Sequence, residues 1–512
     1  MEKVYQNIPK EKFVFAQLGE KMHDEKLRTK SRGYFADAFI RFRKNKSSVV
    51  AACIIALLVL FAIISPMVSL YTINHKESAY TNYAPFVESI ADWGIGLMDG
   101  GVVYSSQNEN QMLRLEGIAQ ETGRDPLIKI LDETKYTVLV RGQPVEKTAY
   151  KIRVNKYYEK GIVIRTLSVE EFNKIQAWQD EHQIQVIYPW VVAPDFKDYK
   201  ITDNPNIWYE ISDAKGTPVL DKDGNFIPVY STDTESAGAK YTSMRIEGDP
   251  GTYAYSAGKS GAVQCRVDFY TYYQYVYGHE PMYLFGTNAL GQDVFTAIGV
   301  GARFSLIFAV IVSAINLTIG AIYGAIQGYY GGYVDLAMDR VSDILSGVPS
   351  IVTVTLFQLH LAQKVGPIVS FLFAFVLTGW IGMAALTRKQ FYRFKGQEYI
   401  MAAKTLGASD WRLMFKHIFP NSLGTIVTSC VLVIPGVISS ETTLTYLGIV
   451  NLSQFSGTSI GVLMSQGQTA MTTSPHAMVF PALFISLLLI SFNLFGNGLR
   501  DAFNPSTRGV EG

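Results

Sequence analysis

The chain has 512 residues, of which 48% are apolar and 17% charged, with 45 Lys and Arg against 44 Asp and Glu. So little charge at this length excludes a uniform soluble globule, and the net charge of +1 says less than its distribution. Apolar residues concentrate in 47–71 and 302–500, whereas 72–285 is polar, Tyr-rich and Asp-rich, with roughly 29 acidic and 21 basic side chains. The pattern is that of a membrane protein with a soluble insert. The three cysteines, Cys53, Cys265 and Cys430, provide neither a disulfide framework within the insert nor a CxxC metal pattern.

Residues 1–46 carry 12 Lys and Arg, ending in Arg41, Arg43, Lys44 and Lys46. The positive-inside rule places this basic segment in the cytoplasm. Tyr34, Phe35, Phe39 and Ile40 recur at helical spacing, so the segment reads as an amphipathic helix on the inner leaflet or as a partly disordered tail. No cleavable signal peptide is expected, because these mostly polar residues precede the first apolar run. That run, 47–71, contains VVAACIIALLVLFAII without a charge and is long enough for span one.

Residues 72–285 then fall outside the cell and are numerous enough for a domain. From Lys135 the pattern is α+β. TVLVRG (137–142), YKIRVN (150–155), GIVIRT (161–166), VIYPWVVA (186–193) and NFIPVYS (225–231) read as strands, with Asp223-Gly224 as a hairpin turn. SVEEFNKIQAWQDEHQI (168–184) reads as a helix opened by a Ser168 to Glu171 capping box. FYTYYQYVY (269–277) returns the chain to the membrane, where its aromatics suit the interfacial belt. Gly258-Lys259-Ser260 imitates the end of a phosphate-binding loop, but the required Gly five residues before Gly258 is Tyr253. No ATPase is expected in this chain. His279 and Glu280 read as turn residues rather than ligands, and no metal site is expected.

A predominantly apolar core fills 286–512. Its spans are expected at Phe304–Ile326, Ile344–Ala362 with a kink at Pro349, Ile368–Leu386, Leu423–Leu447 around Pro435-Gly436, and 478–499. Six spans place both termini in the cytoplasm. Between the fourth and fifth, Arg388, Lys389, Arg393, Lys395, Lys404, Arg412 and Lys416 stand against Glu398 and Asp410 alone, which puts that loop inside.

The loop holds EYIMAAKTLGASDWRLMFKHIFPN (398–421). It reads as two short helices. Ala402, Ala403 and Leu406 give the first a small apolar surface, Gly407 breaks it, and Ser409 caps the second. Trp411, Leu413, Met414 and Ile418 make the second amphipathic, and Pro420 with Asn421 stops it. A helix pair hung between two spans suits a surface on which something outside the membrane pushes.

Met401-Ala402-Ala403, three residues, Gly407, nine residues and His417-Ile418-Phe419-Pro420 resemble the EAA loop of the membrane subunits of ABC importers, with Met401 where the family usually has glutamate. GTNALGQDVFTAIGVGARFSL (286–306), GYYGGYVDLAMDRVSDILSGVPS (328–350), HIFPN (417–421) and ISSETTLTYLGI (438–449) make the chain similar to the C-type permease subunit of dipeptide/oligopeptide importers. Asn288 and Gln292 stand where Asp and Arg are usual. The resemblance covers 1–71 loosely and 286–512 densely, and omits 72–285.

The resemblance implies an all-α polytopic membrane protein of six transmembrane helices, the type I ABC importer permease fold; the inserted extracytoplasmic α+β domain between spans one and two is read from the residues of 72–285 and lies outside the resemblance. It implies a homologous B-type permease partner, two ATPase subunits that bind ATP and Mg, an extracellular peptide-binding protein or lipoprotein, and no cofactor in this chain. No nucleic-acid partner is expected, and the chain lies in membrane lipid. Coupling to the ATPase would fall to the 388–421 loop, through Ala402, Ala403, Lys404, Leu406, Gly407, Ala408, Ser409, Asp410 and Trp411.

Glu441 is the lone carboxylate of span five. It either faces the translocation path or gate, with Pro435 and Pro349 as further candidates, or is satisfied by Ser439, Ser440 or Thr442. The insert either docks the binding protein, roofs the vestibule or, with least support, is catalytic. Related permeases carry nickel chelates or glutathione, which leaves the substrate open. A receptor sensing extracellular peptide is the reading from another class.

Overall fold

The computed structural model describes residues 34–503, apart from 92, 94–95, 97, 141–142, 191–203, 214–215, 231–261 and 453–457. The basic residues before 34, the 258–260 look-alike, and residues 191–193, 141–142 and Ser231 of the expected strands lie outside the described residues.

Helix α1, Tyr34–Lys44, buries Ala38 and Phe42 and leaves Phe39 exposed. Asn45 separates it from α2, Lys46–Val68, and accepts a hydrogen bond from the Ser48 amide. At 1.5 Å per residue the 23 residues of α2 reach about 35 Å, enough for a hydrocarbon core. Pro66 has no N–H, so the Ala62 carbonyl loses its helical donor. Arg303 fills that place with Nε at 2.6 Å, and its Nη2 reaches Ile63 O.

Between α2 and the next long helix the described residues form two three-stranded antiparallel sheets. In the first, β1 (Gly101–Gln107), β2 (Leu127–Val140) and β3 (Gln143–Asn155) run in the order β1-β3-β2. In the second, β4 (Ile162–Ser168), β5 (Ile187–Tyr188) and β6 (Ala262–Asp268) run β4-β6-β5. Helices α3 (Glu109–Thr122) and α4 (Val169–His182) accompany them; Ser168 accepts from the Glu171 amide, which is one half of the expected capping box, while Glu171 Oε1 accepts from Tyr272 OH at 2.9 Å. Of the expected strand at 186–193, the described residues pair at Ile187 and Tyr188. NFIPVYS makes isolated bridges, Leu220 to Phe226 and Tyr209 to Pro228, around a turn at Gly224 with φ +86°.

Strand β6 is absent from the sequence expectations, because AVQCRVD carries an arginine where a buried strand is expected to be apolar. Arg266 is fully buried. Its guanidinium donates to Glu121 on α3 at 2.7 Å, to Pro189 O at 2.7 Å and to Pro205 O at 3.0 Å. Such a charge is tolerated inside only because every arm is satisfied.

The Tyr-rich segment is not an interfacial belt. It is helix α5, Phe269–Tyr277, capped by Asp268 and closed by Gly278 at φ +73°. Phe269, Tyr270 and Tyr273 are buried with Tyr71, Tyr80, Tyr83, Phe86, Tyr157 and Tyr283 in one aromatic core. Tyr71 stacks on Tyr283 with centroids 4.5 Å apart, and Phe86 on Tyr157 at the same separation. Beside this core, Asp293 accepts from Ser69 Oγ at 3.2 Å, and Gln292 Nε2 donates to Ile73 O at 2.7 Å.

Among the described residues five helices have the length and apolarity to cross a membrane: α2, α6 (Val294–Tyr330), Pro367–Lys395, Asp410–Tyr446 and His476–Phe503. Helix α6 starts ten residues before the expected span, because Asp293 caps it by accepting from the Thr296 amide. The third expected span is instead a broken pair, α7 (Gly332–Ser346) and α8 (Ser350–His360), bent by 73°. Pro349 occupies the N-cap of α8, so it marks a break between two helices rather than a kink within one. Pro367–Lys395 comprises α9 (Pro367–Gly379) and α10 (Ile381–Lys395). It is followed by α11 (Glu398–Thr405), α12 (Asp410–Tyr446), α13 (Ile460–Thr469) and α14 (His476–Phe503).

Helices α6 and α10 approach closely at Gly320, Gly324 and Gly328, one per helical turn. A Cβ at Gly320 would stand 2.6 Å from Trp380 O, and one at Gly328 2.7 Å from Arg388 O. Small residues at this spacing let two backbones meet in lipid, where packing rather than water exclusion holds helices together.

Candidate functional site

The loop between α10 and α12 rests on a buried base. Ile400 of α11, Leu413, Met414 and Ile418 of α12, Phe391 of α10 and Ala325 of α6 form one apolar cluster. Ala403 and Ala408 pack at its edge. Tyr329 OH donates to Asp410 Oδ1 at 2.6 Å, which fixes the start of α12 to the end of α6. Gly407 has φ +83°, and a Cβ at this position would meet nothing within 4 Å, so glycine is needed here for its backbone conformation and not for space. Ser409 occupies the N-cap of α12 but its side chain makes no capping hydrogen bond, contrary to expectation. The carbonyl of Ser409 accepts from the Leu413 amide instead, at 2.9 Å.

The opposite side of the loop is bare. Leu406 is 89% exposed, Trp411 66% and Met401 54%, with Ala402 and Lys404 between them on the same short stretch. Trp411 leans on Phe415 with ring centroids 4.2 Å apart, so the indole has a defined place while most of its surface stays open. An apolar knob on a rigid base is what a docking surface requires.

Pro420 does not stop the second helix. Leu413–Ile418 form a π-turn, and Phe419–Tyr446 continues as α-helix with Pro420 in its first turn. A proline without N–H is tolerated where the hydrogen-bond pattern already changes. The loop's second arm and the fifth expected span are therefore one element of 37 residues, Asp410–Tyr446.

Glu441 lies on that element and is fully buried. Ser305 Oγ of α6 donates to Glu441 Oε2 at 2.7 Å, Thr445 Oγ1 to Oε1 at 3.3 Å and Thr442 Oγ1 to Oε2 at 3.4 Å. Ser459, before α13, donates to Thr445 Oγ1 at 3.3 Å. Of the three hydroxyls expected to satisfy it, Thr442 does so, while Ser439 and Ser440 are exposed. Ser305 has no cue in the sequence, because 136 residues separate it from Glu441. Pro435 is buried within the same helix. At the start of α6 the uncharged pair Asn288 and Gln292 join side chain to side chain at 3.0 Å. Among the described residues, no three His, Cys, Asp or Glu side chains are grouped to hold a metal ion.

Residues 316–509 match the family of the binding-protein-dependent transport system inner membrane component. Residues 33–85 match the N-terminal TM domain of oligopeptide transport permease C. The chain is 42% identical over 224 residues to the oligopeptide transport system permease protein OppC of Bacillus subtilis, covering 44% of this chain and 72% of that one. It is 39% identical over 225 residues to the dipeptide transport system permease protein DppC of the same organism, covering 44% and 69%. To the glutathione transport system permease protein GsiD of Escherichia coli it is 32% identical over 228 residues, covering 44% and 73%.

Proposed function

This chain belongs to the binding-protein-dependent transport system inner membrane component family, and from that membership we propose that it is the transmembrane permease subunit of an ATP-driven peptide importer. It is a transporter subunit and not an enzyme. Its relatives named for oligopeptides and dipeptides, at 42% and 39% identity, favour peptide over glutathione, named for a relative at 32%.

The observation that carries the mechanism is the bare apolar knob of Met401, Leu406 and Trp411 on a base continuous with a spanning helix. A partner ATPase, which would bind ATP and Mg, takes this knob into a cleft. Ala402, Ala403 and Ala408 permit close approach, Gly407 sets the angle between α11 and α12, and Lys404, Ser409 and Asp410 frame the contact. Closure of two ATPase subunits displaces the knob, and the unbroken Asp410–Tyr446 element carries the displacement into the membrane as a rigid body. A homologous B-type permease supplies the other half of the pathway. A peptide-binding protein or lipoprotein delivers substrate from outside.

The basic segments flanking the helices support a topology with both termini and the 388–421 loop in the cytoplasm, 72–285 as an extracytoplasmic inserted domain and 286–512 as the permease core. Glu441, enclosed by α6 and α12, acts within the gate by holding these helices together rather than by touching peptide. The test is co-purification with the ATPases followed by peptide-stimulated ATP hydrolysis, with Gly407→Pro as the uncoupled control. Normal stimulation in that variant contradicts the coupling model.

A further inference from the structure

Helix α7 is held in an unusual way. Its buried residues are Asp335 and Ser342, both polar, whereas Leu336, Val341 and Ile344 face outward. Both of its ends are jointed. Gly331, before it, stands at φ +66° and Gly332, its first residue, at φ +56°, and the 73° bend at 347–349 follows it. Apolar packing therefore does little to fix where α7 sits.

One guanidinium does. Arg388 Nη2 donates to Asp335 Oδ2 at 2.5 Å and Nη1 to Asp339 Oδ1 at 3.0 Å. The two carboxylates are one helical turn apart on α7, and the planar fork spans them in a way that an ammonium cannot. Tyr392 OH donates to the same Asp335 oxygen at 2.5 Å, and Gln327 Nε2 donates to Asp339 Oδ1 at 3.2 Å. Arg388 and Tyr392 belong to α10, which the glycine stripe joins to α6 and whose Phe391 packs on Ile400 of the exposed loop. The cation thus links an element built into the loop's base to a helix with joints at both ends.

We infer that Arg388 is a positioning residue that makes α7 move with the 398–421 loop, so that displacement of the loop is passed through the 73° joint to α8. This rests on the permease reading above. Nothing else in the described structure grips α7 with comparable charge: Arg340 and Asp343 pair with each other on its exposed face at 3.1 Å.

The test uses the whole complex in proteoliposomes, with both permeases, the ATPases and the binding protein, and reads peptide moved per ATP hydrolysed. Arg388→Gln and the double variant Asp335→Asn/Asp339→Asn are expected to lower that ratio about tenfold or more while hydrolysis stays within about threefold, the scale of a coupling free energy between sites. Arg388→Lys, which keeps the charge and loses the fork, is expected to fall between them and the unmodified chain. Arg340→Gln is expected to leave the ratio unchanged. A ratio equal to the unmodified chain's in either uncoupling variant overturns the inference. Should Arg388→Gln fail to assemble, a normal ratio in Arg388→Lys overturns it equally. Failure of the permease reading shows separately, as hydrolysis by the unmodified complex that is indifferent to peptide.

Discussion

Replacing Trp411 with alanine tests whether the exposed knob is a docking surface. The side chain is 66% exposed, so about two thirds of a Trp surface of roughly 200 Å² remains to be covered by a partner. At about 25 cal/mol per Å² that area corresponds to roughly 3 kcal/mol. Ordering the interface offsets part of it, leaving about 2 kcal/mol, or a roughly 30-fold loss in affinity for the ATPase. The chain's own melting temperature should scarcely change, because the buried base of Leu413, Met414 and Ile418 is untouched. Titrating purified ATPase onto the detergent-solubilised permease, with a melt on the same sample, measures both. Affinity within twofold of the unmodified chain refutes the docking assignment, as does a melting loss that accounts for the weaker binding.

Three further outcomes follow from particular contacts. Glu441→Ala removes the acceptor of Ser305 and Thr445 and leaves a cavity, a cost of about 3 kcal/mol that a thermal melt should register; Glu441→Gln keeps the shape and should assemble normally while altering uptake. Gly324→Val drives side-chain atoms into Ala384 and Thr387 of α10 and should abolish the folded yield, whereas Gly382→Val, with open space around it, should not. Glu280 is pushed up to about 7 by its hydrogen bond with Glu88 and by partial burial. Its folded value lies above the unfolded one, so the stability it contributes is present in acid and is lost as pH rises through about 7. Glu280→Gln should therefore melt higher than the unmodified chain at pH 8 and the same near pH 4, and equal melting at both would remove the carboxylate pair as the cause.

Much of the membrane part is legible because lipid imposes a length and a polarity that show locally. The run at 47–71 and the basic cluster around Arg388 announce themselves without long-range contacts. Helix breaks are harder. Pro420 reads as a stop by propensity, and only the π-turn ahead of it lets the helix continue into Tyr446. Pro349 reads as a kink, but the preceding Gly347 and Val348 complete a break of 73°. In the insert, alternation locates β4 and the capping box locates α4. Neither finds β6, whose Arg266 is neutralised by Glu121 from 145 residues earlier. The tyrosines of 269–277 suit an interface or a core equally by composition, and the stacking partner of Tyr71 is Tyr283, far along the chain. At the loop, Gly407 and Trp411 stand out in the sequence, while the Tyr329 contact to Asp410 and the Ser305 contact to Glu441 have no local cue.

The central claim is that this chain is a required half of a peptide pathway driven by ATP hydrolysis on other subunits. Its most direct test is accumulation of a labelled oligopeptide in proteoliposomes that hold the second permease and the ATPases, with ATP on the ATPase side and the binding protein opposite. The account predicts accumulation that needs both ATP and this chain and that disappears with Gly407→Pro. Accumulation without the chain, or undiminished accumulation by the Gly407→Pro complex, would contradict it.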